Sequence, residues 1–305
     1  MAMEKVRPGS LKAWLILPRF HFILLTVFNV SLGTVIAVHE GSFHPFYFLL
    51  AMVGSILVHM TVNVINDYYD YRDGIDLNTQ RTPFSGGSGV LPSHLLRPRQ
   101  AFWFATLCLL AAMGIGLFFI LMKGWLLFPL LLVAGFSAYF YNVCLSKWMM
   151  GELFAGLNLG TLLILGAYFV QTGRYSWEAV VASLAPGLLT SNLLLLNEFP
   201  DSEADQKGGR RHLVIALGRK GGRHLFVALL IASYLSIMIG VAMGMMPAVT
   251  LIGLGTAGFG WKAARGALKH YDDKSQLIPV LGANVITILG TQALLALGYV
   301  IAAIN

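Results

Sequence analysis

Asn66-Asp67-Tyr68-Tyr69-Asp70-Tyr71-Arg72-Asp73-Gly74-Ile75-Asp76 follows directly on an apolar run over residues 46–65 that contains no Asp, Glu, Lys or Arg. A run of about 20 mostly apolar residues is the length that crosses a hydrocarbon core. Ionisable groups at membrane depth are costly and tend to be functional, so the position of these four carboxylates carries meaning. The arrangement recurs further on: the apolar run 178–197 passes into Asn197-Glu198-Phe199-Pro200-Asp201-Ser202-Glu203-Ala204-Asp205. In both places an apolar segment ends in Asn with Asp four residues later, Asn66 with Asp70 and Asn197 with Asp201.

The rest of the chain agrees with a lipid solvent. Of 305 residues 57% are apolar and only 11% charged, and the mean hydropathy is +0.72; a soluble domain carries roughly a quarter charged residues. The content of large apolar side chains excludes a disordered or collagenous chain, and two cysteines, Cys108 and Cys144, exclude a disulfide scaffold. Lys5 and Arg7 precede a stretch, Trp14 to Val38, that is too long for a signal-peptide core and is interrupted by Pro18, Arg19 and His21. It reads as a first membrane helix. Nine spans are expected, over 14–38, 46–65, 101–121, 125–141, 151–171, 178–197, 224–243, 246–264 and 279–303, in one all-α polytopic domain over 1–305. With the N-terminus in the cytoplasm, every Lys and Arg falls on the inner side except Lys123 and Arg174, as the positive-inside rule requires. The loops at about 66–100 and 198–223, which carry the acidic motifs, are then cytoplasmic, and the C-terminus lies across the inner or plasma membrane. No zinc spacing or nucleic-acid motif is present, so the net charge of +7 points to anionic headgroups and anionic substrates, not nucleic acid.

On a helix, positions four and seven or eight apart share a face. Asn66, Asp70 and Asp73 therefore point one way, and Asn197, Asp201 and Asp205 point one way on the other helix. Crowded carboxylates repel unless a cation or a proton intervenes, and a ligand set of oxygens without His or Cys suits Mg²⁺ or Ca²⁺ over zinc. Mg²⁺ commonly takes a few carboxylates and leaves positions for substrate phosphates, so two such faces suit a diphosphate. Arg72, Arg81, Lys207, Arg210 and Arg211 interleave with the acids and supply cations for the leaving oxygen, although the inside-positive bias also accounts for them. Pro83-Phe84-Ser85-Gly86-Gly87-Ser88-Gly89 is a backbone-rich loop that serves either as a phosphate-facing nest or as a lid.

Taken together, Asn66-Asp67-Tyr68-Tyr69-Asp70, the later Asp201-Ser202-Glu203-Ala204-Asp205 and nine spans resemble the UbiA superfamily of intramembrane prenyltransferases. The resemblance extends to Pro18-Arg19 with His21, to the segment from Tyr139, Tyr141 and Asn142 through Lys147, Gly151-Glu152 and Asn158, and to Gly209-Arg210-Arg211-His212-Leu213 with Leu217-Gly218. The family's third Asp, four residues after Asp70, is replaced by Gly74, with Asp73 and Asp76 flanking it. That spacing is similar to the branch that prenylates dihydroxynaphthoate in menaquinone synthesis. The chain departs from that branch at Glu198, where Asn is common, and at His212, where Thr is common.

The resemblance implies Mg²⁺ held by Asn66, Asp70, Asn197, Asp201 and Asp205, with Asp67, Asp73 or Asp76 assisting, and a polyprenyl diphosphate donor with an aromatic acceptor. It implies Arg72 and Lys147 beside Asp70, Asp201 and Asp205 in catalysis. Arg19, Lys207, Arg210, Arg211, Asn158 and Tyr139 would contact diphosphate or prenyl chain, Tyr68, Tyr139 and Tyr141 would line the path of an allylic cation, and Glu152 is a candidate base. Other acceptors of the family stay open: another quinone precursor, haem, or geranylgeranylglyceryl phosphate. Asp70-Tyr71-Arg72-Asp73-Gly74 also matches the opening of the CDP-alcohol phosphotransferases, but the continuation of that motif is missing. A cation transporter would place its carboxylates near the bilayer midplane, not at helix ends.

Overall fold

A computed structural model describes residues 6–141 and 144–304, so that Lys5 and Asn142 lie outside the described residues. All regular structure among the described residues is helical, with no strand. Helix α1 (Leu11–Ile16) starts at Ser10, whose hydroxyl accepts the Ala13 N–H. The expected first span is therefore not continuous. Past Pro18, Arg19 takes a left-handed conformation at φ 54° before α2 (Phe20–His39) begins. A non-glycine residue there costs about 1–2 kcal/mol, and the bend turns the Arg19 side chain inward, its guanidinium reaching the Asn63 carbonyl at 3.5 Å.

Helix α3 (Pro45–Arg72) begins with Pro45 at its first position, where a missing N–H costs nothing. It does not stop where the apolar run does. The helix continues through Asn66, Asp67 and Asp70 and ends only at Asp73, followed by Gly74 at φ 78°. Glycine accommodates that left-handed turn freely, and it folds α4 (Ile75–Asn78) back so that Asp76 is buried. After the loop that holds Gly86, Gly87 and Gly89 come α5 (Pro98–Lys123) and the shorter α6 (Phe128–Phe140).

Helix α7 (Gly151–Gly156) runs through a π-helical stretch, Leu157–Leu162, into α8 (Leu163–Thr172). The wide turn coincides with close packing on α9 (Trp177–Lys207). A Cβ on Gly160 would stand 2.6 Å from the Gly187 Cα, so only glycine lets these backbones approach so near. α9 contains Pro186 and Pro200, yet continues through the second acidic motif to Lys207. Both motifs thus ride on extensions of long helices, not on loops as the apolar boundaries suggest.

Helix α10 (Leu213–Ala242), a 3-10 stretch at Ala248–Thr256, α11 (Ala257–His270) and α12 (Lys274–Ile304) complete the chain. α9 sits centrally, in contact with α7, the π turn, α8, α10 and α12. The core between α2, α8, α9, α10 and α12 is built from Leu32, Ile36, Ile164, Tyr168, Ile237 and Tyr299, while Leu107, Leu121, Trp125, Trp177 and Trp261 face outward as they would toward lipid.

Seven helices among the described residues are long and apolar enough to cross a membrane. They coincide with seven of the nine expected spans. The remaining two stretches are helical but broken: 125–141 forms a single 3-10 turn followed by the 13-residue α6, and 246–264 divides into a 3-10 stretch and an α11 whose outer face is basic.

Candidate active site

An elongated cavity of about 300 Å³ runs between α3, α5, α6, α8 and α9. From Ala51 to Asp70 it follows α3 for about 28 Å at 1.5 Å per residue. Its two ends differ in chemistry. Toward the N-terminal part of α3 the walls are Ile115, Phe119, Leu131, Leu163 and Val170, and at the other end they are Asn66, Asp70, Asp76, Asn197, Asp201 and Asp205.

Arg19 and Arg210 stand among those acids. Arg210 lies between the two motifs: its Nη2 donates to Asn66 Oδ1 at 3.0 Å and to Asp70 Oδ1, and its Nη1 to Asp205 Oδ1 at 3.3 Å. Asn66 in turn donates from Nδ2 to Asp70 Oδ2 at 2.8 Å. Burial by itself would weaken the Arg210 guanidinium as a cation, but Asp70 and Asp205 outweigh it and hold its pKa above the ordinary value. Arg19 Nη2 is 3.4 Å from Asp67 Oδ1. Asp67 itself lies behind the cavity wall, buried, and accepts the Ser88 N–H at 3.0 Å.

The glycine loop closes the polar end. With Gly86 at φ 80° and Gly87 at φ 68°, the backbone aims alternate N–H groups at carboxylates: Gly86 donates to Asp201 Oδ2 at 2.9 Å and Ser88 to Asp67. A Cβ on Gly87 would meet Asp76 Oδ1 at 2.9 Å, so the close approach depends on glycine. Arg81 braces the loop through the Ser88 carbonyl. Burial lowers its pKa, partly offset by Asp67 and Asp76. Asp76 is pushed up to about 8, first by burial and then by the charges of Asp67 and Asp70.

Several buried oxygens here lack a hydrogen-bond partner among the described residues: Asp67 Oδ1, Asp76 Oδ2, Asn197 Oδ1 and Asp201 Oδ1. Unsatisfied carboxylate and amide oxygens from α3, α4 and α9 form a hard, all-oxygen donor set, which fits Mg²⁺. Arg210 now serves part of the role of a cation between them.

Not every residue singled out from sequence is at the cavity. Asp73, predicted on the face of Asn66 and Asp70, instead pairs with Arg72 at 3.2 Å, because the helix ends at Asp73 and its side chain leaves the face. Arg72 is largely exposed and stacks on Tyr69 at 4.7 Å. Lys147, Lys207 and Arg211 are exposed and Tyr139 is 42% exposed, and none of them lines the cavity. Tyr68 packs against Phe102. Tyr141 and Asn158 do line it, Asn158 donating to the Phe154 carbonyl at 2.7 Å within the π turn. Glu152, the candidate base, is buried off the cavity with Oε1 accepting the Leu213 N–H at 2.7 Å. The sequence reading did not single out Asn63, His59 or Glu198 as cavity residues. For Glu198 a signal was available, since it neighbours Asn197 in an otherwise apolar run.

A model of the UbiA prenyltransferase family matches residues 26–288. The chain is 27% identical over 222 residues to a 1,4-dihydroxy-2-naphthoate octaprenyltransferase of Bacillus subtilis (strain 168), covering 72% of this chain and 70% of that protein. It is 24% identical over 276 residues to a 2-carboxy-1,4-naphthoquinone phytyltransferase of Synechocystis sp. (strain ATCC 27184 / PCC 6803 / Kazusa), covering 88% and 87% of the two. In fold it is similar to a UbiA homologue from Archaeoglobus fulgidus bound to GPP and Mg²⁺, with a TM-score of 0.62 over 93% of this chain and 99% of that one at 12% identity. The family match spans both acidic motifs and the helices that carry them, and the chain belongs to the UbiA prenyltransferase family as a membrane-embedded enzyme.

Proposed function

We propose that the protein transfers a polyprenyl group from its diphosphate to 1,4-dihydroxy-2-naphthoate, a step of menaquinone synthesis, with Mg²⁺ as cofactor. The observation that carries this reading is the cavity itself: two acidic helix ends meet around Arg210 at the polar mouth of a long apolar channel. The acceptor rests on the naphthoate-prenylating relatives. Mg²⁺ bound by Asn66, Asp70, Asn197, Asp201 and Asp205, with Asp67 and Asp76 beside them, would supply the positive charge that stabilises a departing diphosphate.

The chain's own groups do the rest. Arg210 and Arg19 present guanidinium donors to the diphosphate oxygens on the cavity side of the acids. The apolar walls hold the prenyl chain and exclude water, which would otherwise capture the allylic cation formed when the carbon–oxygen bond breaks. Tyr141 offers an aromatic face at the same end of the channel. The diphosphate leaves with the electron pair of the carbon–oxygen bond, and the electron-rich acceptor ring supplies a π pair for the new carbon–carbon bond. The attacked ring carbon then loses a proton, or its carboxylate as carbon dioxide, the pair of that broken bond returning to the ring. In this reading 1–305 is a single domain of nine spans with the N-terminus and the acidic motifs on the cytoplasmic side of the plasma membrane.

The test is turnover by the purified protein in nanodiscs, with geranylgeranyl and longer diphosphates offered with dihydroxynaphthoate, hydroxybenzoate or geranylgeranylglyceryl phosphate, followed by mass spectrometry. A Mg²⁺-dependent prenylated naphthoate is the expected product. Prenylation of a different acceptor would overturn the acceptor, and no diphosphate release from any donor would overturn the enzyme class.

A further inference from the structure

Beside the second acidic motif lie three buried side chains, one of them bordering the cavity, to which the prenyl-transfer reading gives no role. Glu152 stands at the start of α7, Glu198 within α9, and His212 at the cap of α10. They are 2%, 8% and 3% exposed, and one donor atom of each lies within 4.8 Å of the other two.

Their polar atoms are incompletely partnered. Glu152 uses Oε1 for the Leu213 N–H, but among the described residues Glu152 Oε2 and Glu198 Oε2 have no hydrogen-bond partner. His212 bridges two carboxylates: Nδ1 is 3.5 Å from Glu198 Oε2, and Nε2 is 3.3 Å from Asp205 Oδ2. Nδ1 also faces the Ile215 N–H at 3.4 Å, longer than a well-formed bond of about 2.7–3.2 Å. The Nδ1 lone pair therefore meets only a long contact, which an ion could replace, while Nε2 faces Asp205 without a hydrogen bond among the described residues.

We propose that Glu152, Glu198 and His212 form a second cation site, of mixed nitrogen and oxygen donors, for a first-row dication such as Zn²⁺. Imidazole with carboxylates suits such an ion, whereas the all-oxygen cluster of the acidic motifs suits Mg²⁺. Donors at about 2.0–2.1 Å from one tetrahedral Zn²⁺ are roughly 3.4 Å apart, close to the observed separation of His212 Nδ1 and Glu198 Oε2. Two carboxylates held side by side away from water call for a cation or a shared proton. A histidine that ligates metal through one nitrogen characteristically gives its other N–H to a carboxylate, and here Asp205 Oδ2 stands 3.3 Å from Nε2, near enough to accept it after a small turn of the ring. The second ion would thereby orient His212 and, through it, Asp205. The site rests on these distances and not on the identity of the substrates.

The experiment uses full-length protein stripped with chelator, then equilibrated with Zn²⁺ in excess Mg²⁺, with bound zinc measured by elemental mass spectrometry. One Zn²⁺ per chain is expected in the wild type and in Asp201→Asn, with affinity at least tenfold weaker in His212→Thr and in Glu152→Gln. Threonine is a good helix N-cap, so His212→Thr preserves the start of α10, and Glu152→Gln serves as the second variant if it does not fold. The proposal is overturned if wild-type protein binds no more zinc than these two variants. It is equally overturned if zinc is lost in Asp201→Asn and kept in His212→Thr, which would place the ion in the acidic motifs.

Discussion

Replacing Arg210 with Met tests the bridge between the two motifs directly. The guanidinium is 17% exposed, and its partners Asp70 and Asp205 are 7% and 4% exposed, so the substitution leaves two buried carboxylates without their shared cation. Removing one partner of a buried ion pair costs about 3–5 kcal/mol, because the remaining charge stays desolvated. For a chain of this size about 2 °C of melting temperature corresponds to 1 kcal/mol, so metal-free Arg210→Met is expected to melt roughly 6–10 °C below wild type. Arg210→Lys keeps the charge but cannot span Asn66, Asp70 and Asp205 with one fork, and it should fall between the two. Both are read by intrinsic tryptophan fluorescence of detergent-purified protein in chelator. Added Mg²⁺ should recover more of the loss in Arg210→Met than it adds to wild type, since it supplies the missing cation. A metal-free melting point for Arg210→Met within about 1 °C of wild type would refute the bridge, whatever the activity of the variant.

Asp70→Asn and Asp201→Asn should each lower turnover by about 10²–10³-fold or more, the equivalent of several kcal/mol of lost charge stabilisation, while eluting and melting as folded protein; wild-type rates in either would remove them from the diphosphate site, and chelation should stop wild-type turnover reversibly. Burial, followed by the charges of Asp67 and Asp70, pushes Asp76 up to about 8 from 3.8 for a free carboxyl, so the native state holds an extra proton above the free value and metal-free stability falls as pH rises through that window. Melting curves in chelator from pH 5 to 9 should show this decline, and Asp76→Asn should flatten it; an unchanged slope in the variant would assign the decline to other groups. Ser55 lines the channel about 22 Å from Asp70 along α3, so Ser55→Trp should reduce kcat/KM for long donors and spare short ones. Equal losses across donor lengths, measured in competition by mass spectrometry, would show that the prenyl chain does not run that way.

What could be read from the sequence was whatever depends on local composition and period. Runs of apolar residues marked the helices because burial in lipid is a property of each segment, and the four-residue spacing of Asn66 with Asp70 and of Asn197, Asp201 and Asp205 was enough to put those side chains on one face. All five line the polar end of the cavity. The same period misplaced Asp73, since periodicity assumes the helix goes on, and Gly74 ends it with a left-handed turn.

Only the tertiary structure decided which charges meet. Arg210 is 140 residues from Asp70 in sequence and bonded to it in space, whereas Arg211 beside it points outward; nothing in their local sequence distinguishes them. Asp76 enters the site because α4 folds back, and the loop at Gly86 is tied to Asp201 across 115 residues. Glu152, Glu198 and His212 come from three separate helices and meet only when α7, α9 and α10 pack. Hydrophobic length and helical period are short-range, so one segment suffices to specify them. Electrostatic pairing in a desolvated site acts between segments distant in the chain, and it takes its value from burial that exists only once the bundle is assembled.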